Sequence, residues 1–199
     1  MPRLPNGTSR STRGTLHDFF PRLASTTSTK PSNPGSKADS DRHDLSRFLA
    51  AQDRGHVYQR ASRELQQGEK RSHWMWFIFP QVEGLAYSSM SQHFAIKSWD
   101  EAIEYSRHPV LGERLRRASE TVLNSREKDV EVLMGGEVDA QKLRSCMTLF
   151  AVVARHFRKG EESGPSEEVF ERVLEKYFDG ELDDRTLDVV RDQWRIPVA

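Results

Sequence analysis

The sequence predicts a single all-α domain, a helical bundle or array, behind a disordered N-terminal tail. Three observations predict it. Apolar residues from Leu45 onward recur at helical spacing. Capping residues and glycines punctuate those runs at ordinary helix lengths. No stretch alternates apolar and polar residues as a half-buried strand would, and no segment repeats. The composition shift places a tail over residues 1–43 and the helical domain over 44–196.

The tail is rich in Ser, Thr and Pro, with more basic than acidic residues. It buries too little apolar surface to offset the entropy of ordering it. In the domain, Asp44 is expected to cap a helix carrying Leu45, Phe48 and Leu49, ended by Gly55. Val57, Tyr58, Ala61 and Leu65 mark a second helix, closed near Gly68. A Trp-rich helix is expected to start at His73. Ser98 and Glu101 form a capping box ahead of Ala102, Ile103 and Tyr105. Pro109 suits the first turn of a helix with Leu111, Leu115, Ala118 and Val122 on one face. Asp139 is expected to cap the most apolar helix, through Leu143, Met147, Phe150 and Ala154, which belongs at the centre. After a loop over 160–165, Ser166 caps a helix through Val169, Phe170, Val173 and Tyr177, ended by Gly180. Asp184 opens a last helix through Leu187, Val190 and Trp194.

Composition bounds the function classes. Thirty basic residues balance thirty acidic ones, so no global field draws the chain to nucleic acid or an anionic membrane. Cys146 is the sole cysteine, which excludes an intrachain disulfide and a cysteine zinc site. His73, His93 and His108 have no metal-ligand spacing, and no cofactor motif is present. No stretch reaches the ~18–20 apolar residues of a bilayer span, and no signal-peptide core opens the chain. A soluble intracellular protein is expected.

The tail holds one apolar cluster. Leu16, Phe19 and Phe20 stand at i, i+3 and i+4, so one helical turn brings them onto one face, and Pro21 stops it. Such a turn is a plug for a hydrophobic groove. It resembles the motif by which replication and repair proteins bind the sliding clamp, proliferating cell nuclear antigen. Leu16, Phe19 and Phe20 match its anchors, whereas Arg13 stands where that motif has Gln. The resemblance implies a nuclear location. A mitochondrial presequence and an inert tail are the alternatives, the first because residues 1–37 are rich in Arg, Ser and Thr and nearly free of acid.

Two core segments could carry chemistry. In Lys70–Gln81, Trp74, Trp76, Phe77 and Phe79 are flanked by Lys70, Arg71, His73 and Gln81. In the second, Lys142 and Ser145 share one face of the central helix, and Arg144 and Thr148 another. These strings, with the His108–Gly112 segment, resemble an uncharacterised family, domain of unknown function 1810, over about residues 44–191. The resemblance implies an all-helical fold and brings no established activity with it.

The residues suggest an aromatic-floored, basic-edged cleft for a nucleotide-like anion, using Lys70, Trp74, Gln81, Tyr87, Lys142, Arg144 and Ser145. Arg144 could supply a bidentate phosphate fork. An enzyme hydrolysing an ADP-ribose derivative, with His73 as proton donor, and a scaffold without catalysis are the alternatives. For each basic residue the rival role is an ion pair, and for Trp74 and Trp76 it is core packing. Such a cleft requires Lys70, His73 and Arg144 to converge.

Overall fold

A computed structural model of the protein describes residues 41–159 and 168–197. Among them the chain is helical: α1 (Ser46–Asp53), α2 (Val57–Gln66), α3 (Met75–Ile78), α4 (Ser89–His93), α5 (Trp99–Arg107), α6 (Leu111–Leu123), α7 (Val130–Met134), α8 (Glu137–Lys159), α9 (Glu168–Phe178) and α10 (Asp184–Asp188). The only pairing of β type among the described residues is one isolated parallel bridge, Val82 with Ile96. The expected all-α class is observed.

Helix α8 runs through the middle, because it is apolar on nearly all sides there. Leu143, Cys146, Met147, Leu149, Phe150 and Val153 are fully buried. Helices α5, α7, α9 and α10 pack on it, and α6 packs on α2, α5 and α9. Close approach is forced at one point: a Cβ on Gly112 would lie 2.0 Å from the Ser106 carbonyl oxygen, so only glycine lets α6 start beside the end of α5.

Several caps differ from expectation. Asp41, not Asp44, caps α1, accepting from the backbone N–H groups of Leu45 and Ser46. Asp44 instead adopts a left-handed φ of 51°. Ser98 caps α5 as expected, accepting from Glu101 N at 3.1 Å. Glu101, however, turns to Lys97 N at 2.8 Å and to a buried ion pair with Arg47. Pro109 lies just before α6, whose first N–H groups, Val110 and Leu111, donate to His108 Nδ1 at 3.1 and 3.2 Å. Asp183 rather than Asp184 caps α10. The Trp-rich helix spans only Met75–Ile78, so His73 precedes it. Asp139 lies inside the first turn of α8 and faces lysines instead of capping. Two five-residue helices, α4 and α7, had no counterpart in the periodicity. The loop over 160–165 and Ser166 fall outside the described residues.

Candidate functional site

The Lys70–Gln81 string divides into two halves. Its first half is closed by one carboxylate. Glu64, on the inward face of α2, accepts from Arg71 N and Ser72 N at 3.0 Å each, from the Ser72 hydroxyl, and from Trp74 Nε1 at 2.7 Å. Burial pushes the Glu64 carboxyl up, but these donors outweigh it and hold its pKa below the ordinary value. Trp74 is fully buried by this arrangement.

Lys70 ties the string to α8. Its ammonium lies 2.6 Å from Asp139 Oδ2 and 5.3 Å from the centre of the Trp74 ring. The other Asp139 oxygen takes Lys142 at 2.8 Å, and the Lys142 ammonium sits 4.9 Å from the Trp76 ring centre. Burial opposes ionisation of Asp139, yet hydrogen bonds and charge from Lys142 and Lys70 hold its carboxyl below the ordinary Asp value. Two ammonium groups thus share one carboxylate, leaving one positive charge in excess.

Lys142 is also part of a cleft. Gln81, Leu85 and Ala86 form one wall of a hollow of about 450 Å³, the first turns of α8 another, and Asp183 and Arg185 at the start of α10 a third. Of the expected site residues, Gln81, Lys142 and Ser145 line it together. Lys70 and Trp74 stand behind them through Asp139. Tyr87 follows directly after Ala86 and is 84% exposed.

Glu137, Asp183 and Arg185 also line this cleft, and sequence reasoning missed them. Arg185 donates from Nη2 to the Leu85 carbonyl at 3.2 Å and makes no ion pair among the described residues. Asp183 accepts from the Thr186 hydroxyl and from Thr186 N at 2.9 Å. Because the Thr186 proton is committed to Asp183, the 2.7 Å contact between Ser145 Oγ and Thr186 Oγ1 must have Ser145 as donor. Ser145 therefore offers acceptor lone pairs, not a proton, to anything in the cleft. The signal that could have found this wall is the pair of hydroxyls, Ser145 and Thr186, on inward helix faces, since buried polar groups need partners.

Other expected residues lie elsewhere. His73 is exposed, with no hydrogen bond or ion pair among the described residues. Arg144 grips the α9–α10 connection, donating to the Glu181 and Leu182 carbonyls at 3.2 and 3.0 Å and pairing with the Glu181 carboxylate at 3.0 Å. Thr148 supports the same segment, accepting from Asp183 N at 2.9 Å. Lys70, His73 and Arg144 therefore do not line one hollow. Arg13, Leu16, Phe19 and Phe20 lie outside the described residues.

A larger, more open groove of about 1100 Å³ runs between α2 and α6. None of the expected site residues lines it, and its lining comes from α2, α6 and the residues directly after each. The smaller cleft is the better candidate because groups from three separate chain segments meet there. Among the described residues no group of three His, Cys, Asp or Glu side chains could hold a metal ion. No helix among them is long and apolar enough to cross a membrane.

Known proteins resemble this chain in sequence and in shape. A crystal structure of the conserved hypothetical protein Rv1873 from Mycobacterium tuberculosis is 38% identical, with a TM-score of 0.63, over 72% of this chain and 94% of that one. No curated protein matches. Residues 42–190 match a family model that covers α1 through α10, the span in which the Trp-rich string, the His108–Gly112 segment and α8 all fall. The chain belongs to that family, described as protein of unknown function (DUF1810).

Proposed function

We propose that the domain binds a phosphate-bearing, nucleotide-like small molecule in the cleft between α8, the 81–86 segment and α10. The observation that carries this is the meeting of two cations from different elements, Lys142 and Arg185, in one hollow of about 450 Å³. That volume lies within the range of small-molecule sites. Arginine and lysine together suit a phosphate, one as a planar fork and one as a point charge. The same walls carry acceptors, Glu137, Asp183 and the Ser145 hydroxyl, which suit the hydroxyl groups of a sugar. A ligand with both an anion and several donors uses every part of this lining. Hydrolysis with His73 as proton donor is not adopted, since His73 is not among the lining residues.

Thermal unfolding with a panel of nucleotides and sugar phosphates tests this. A ligand at about 100 times its Kd stabilises the native state by ~2.7 kcal/mol, a rise of several degrees in Tm. The rise is expected with adenosine monophosphate and is lost in the Lys142→Ala, Arg185→Ala double variant. No rise with any member of the panel, or an undiminished rise in the variant, overturns the site.

The tail extends the proposal. Leu16, Phe19 and Phe20, with Arg13 beside them, would tether the domain to the sliding clamp and hence to nuclear replication and repair, supported by the spacing of those anchors in the sequence. A peptide of residues 10–24 is expected to bind purified clamp at micromolar Kd, and its Phe19→Ala, Phe20→Ala form to lose at least tenfold, ~1.4 kcal/mol. Equal binding of the two peptides overturns the tether.

A further inference from the structure

Among the described residues four large apolar side chains are exposed: Tyr87, Val110, Val132 and Val138. The two most exposed are Tyr87 at 84% and Val138 at 70%; Val138 lines the same cleft, and Tyr87 adjoins its lining in the chain. Val138 lines it from the first turn of α8, and Tyr87 is one residue past Ala86, which lines the opposite wall. Single exposed apolar residues are ordinary, but Val138 in the lining and Tyr87 one residue beyond the opposite wall offer a locus for apolar contact.

The local backbone explains how Tyr87 could act there. Before it, the chain is held by Glu83 N donating to Ile96 O at 2.9 Å and by Arg185 on the Leu85 carbonyl. After it, Ser88 caps α4, accepting from Ser91 N at 3.1 Å. Between those anchors, Ala86 and Tyr87 make no hydrogen bond among the described residues. Tyr87 can thus change position without breaking any bond, while its neighbours stay fixed. Its ring has a flat apolar face and two side-chain torsions, so little entropy is lost when it settles on another ring.

We infer that Tyr87 is the residue that reads the ring of the ligand, folding over the mouth so that a planar, base-like group is held between its face and Val138. This rests on the cleft being a phosphate site, and it narrows the ligand to a phosphate carrying an aromatic ring rather than a bare sugar phosphate. Arg185 links the two parts, since it lines the phosphate end and also holds the backbone two residues before Tyr87.

The test compares two probes, adenosine monophosphate and ribose phosphate, by titration calorimetry on the full chain. Stacking of a base on an aromatic side chain corresponds to roughly a tenfold change in Kd or more. The wild-type protein is expected to prefer adenosine monophosphate by about that factor. Tyr87→Ala should abolish the preference while leaving ribose phosphate binding unchanged, and Tyr87→Phe should restore it. Equal binding of the two probes to the wild-type protein overturns the role of Tyr87 and leaves the phosphate site standing. A preference that persists in Tyr87→Ala, or equal weakening of both probes, does the same. Binding of neither probe overturns the phosphate site and this inference together.

Discussion

The two halves of the Lys70–Gln81 string behave differently, although both are aromatic and flanked by polar groups. From Lys70 to Trp74 the polar groups inside the fold have partners: Glu64 takes four donors, and Asp139 takes Lys70. From Trp76 to Gln81 the backbone has partners, Gln52 Nε2 donating to the Phe77 carbonyl and Ile96 N to the Gln81 carbonyl at 2.8 Å each, but two side-chain groups are left open. Among the described residues the buried Trp76 Nε1 has no acceptor, and Gln81 brings a side-chain amide without a partner to the cleft wall. A buried donor without an acceptor costs about 1–3 kcal/mol. Of these two open groups only Gln81 lines the cleft and is available to a ligand; the Trp76 donor is buried and is not among the lining residues. Composition does not separate the two halves, because Trp74 and Trp76 are the same residue two positions apart.

The largest expected effect breaks the closed half. Glu64→Ala removes the acceptor of four hydrogen bonds and strands the Trp74 indole in the core, so a loss of about 3–4 kcal/mol in urea unfolding is expected. Acid sharpens the same point. The folded-state pKa of Glu64 lies below its ordinary value of 4.5, so its stabilisation is complete above that value and fades as pH falls through the folded one. Wild-type stability should therefore decline below about pH 4.5, and the decline should be shallower in Glu64→Ala. A loss under ~1 kcal/mol, with an unchanged acid limb, would mean that the Trp74 half is no more closed than the Trp76 half.

The parts of this comparison that were legible in the sequence are those set by period. Helices α2, α5, α6 and α9 and the burial of α8 follow from apolar spacing, which packing obeys over many residues. Caps were less legible. Asp41 and Asp44, or Asp183 and Asp184, are chemically equivalent candidates a turn or less apart, and backbone geometry decides between them. Helices α4 and α7, five residues each, are too short to show a period at all. Within the site, Lys142 and Ser145 were visible as polar residues entering an apolar helix. Arg185 was not, because it sits on an exposed first turn where charge is unremarkable, and only the fold brings it opposite Lys142. For Glu64, the sequence shows a carboxylate on α2 but not the four donors that arrive from seven to ten residues further on.

The smallest expected effect concerns Arg144, which the sequence offers as a phosphate fork two residues from Lys142. Those two residues turn its side chain by about 200° around α8, away from the lysine, since successive residues advance by ~100°. Its fork is already occupied by two backbone carbonyls and the Glu181 carboxylate. Carbonyls of a connecting segment are a structural load: the Arg144 hydrogen bonds hold the approach to Asp183, and Asp183 in turn caps α10. Arg144→Ala should cost about 1 kcal/mol in unfolding, the range of a partly exposed charge-assisted contact, with the affinity for adenosine monophosphate unchanged within twofold. Lys142→Ala should do the reverse, weakening binding about tenfold, ~1.4 kcal/mol, with a smaller change in stability than in affinity, since Lys70 remains as a partner for Asp139. If the arginine variant lost affinity and kept its stability, the ligand would have to approach from the α9–α10 side, and the division between satisfied and open groups would have been drawn along the wrong face of α8.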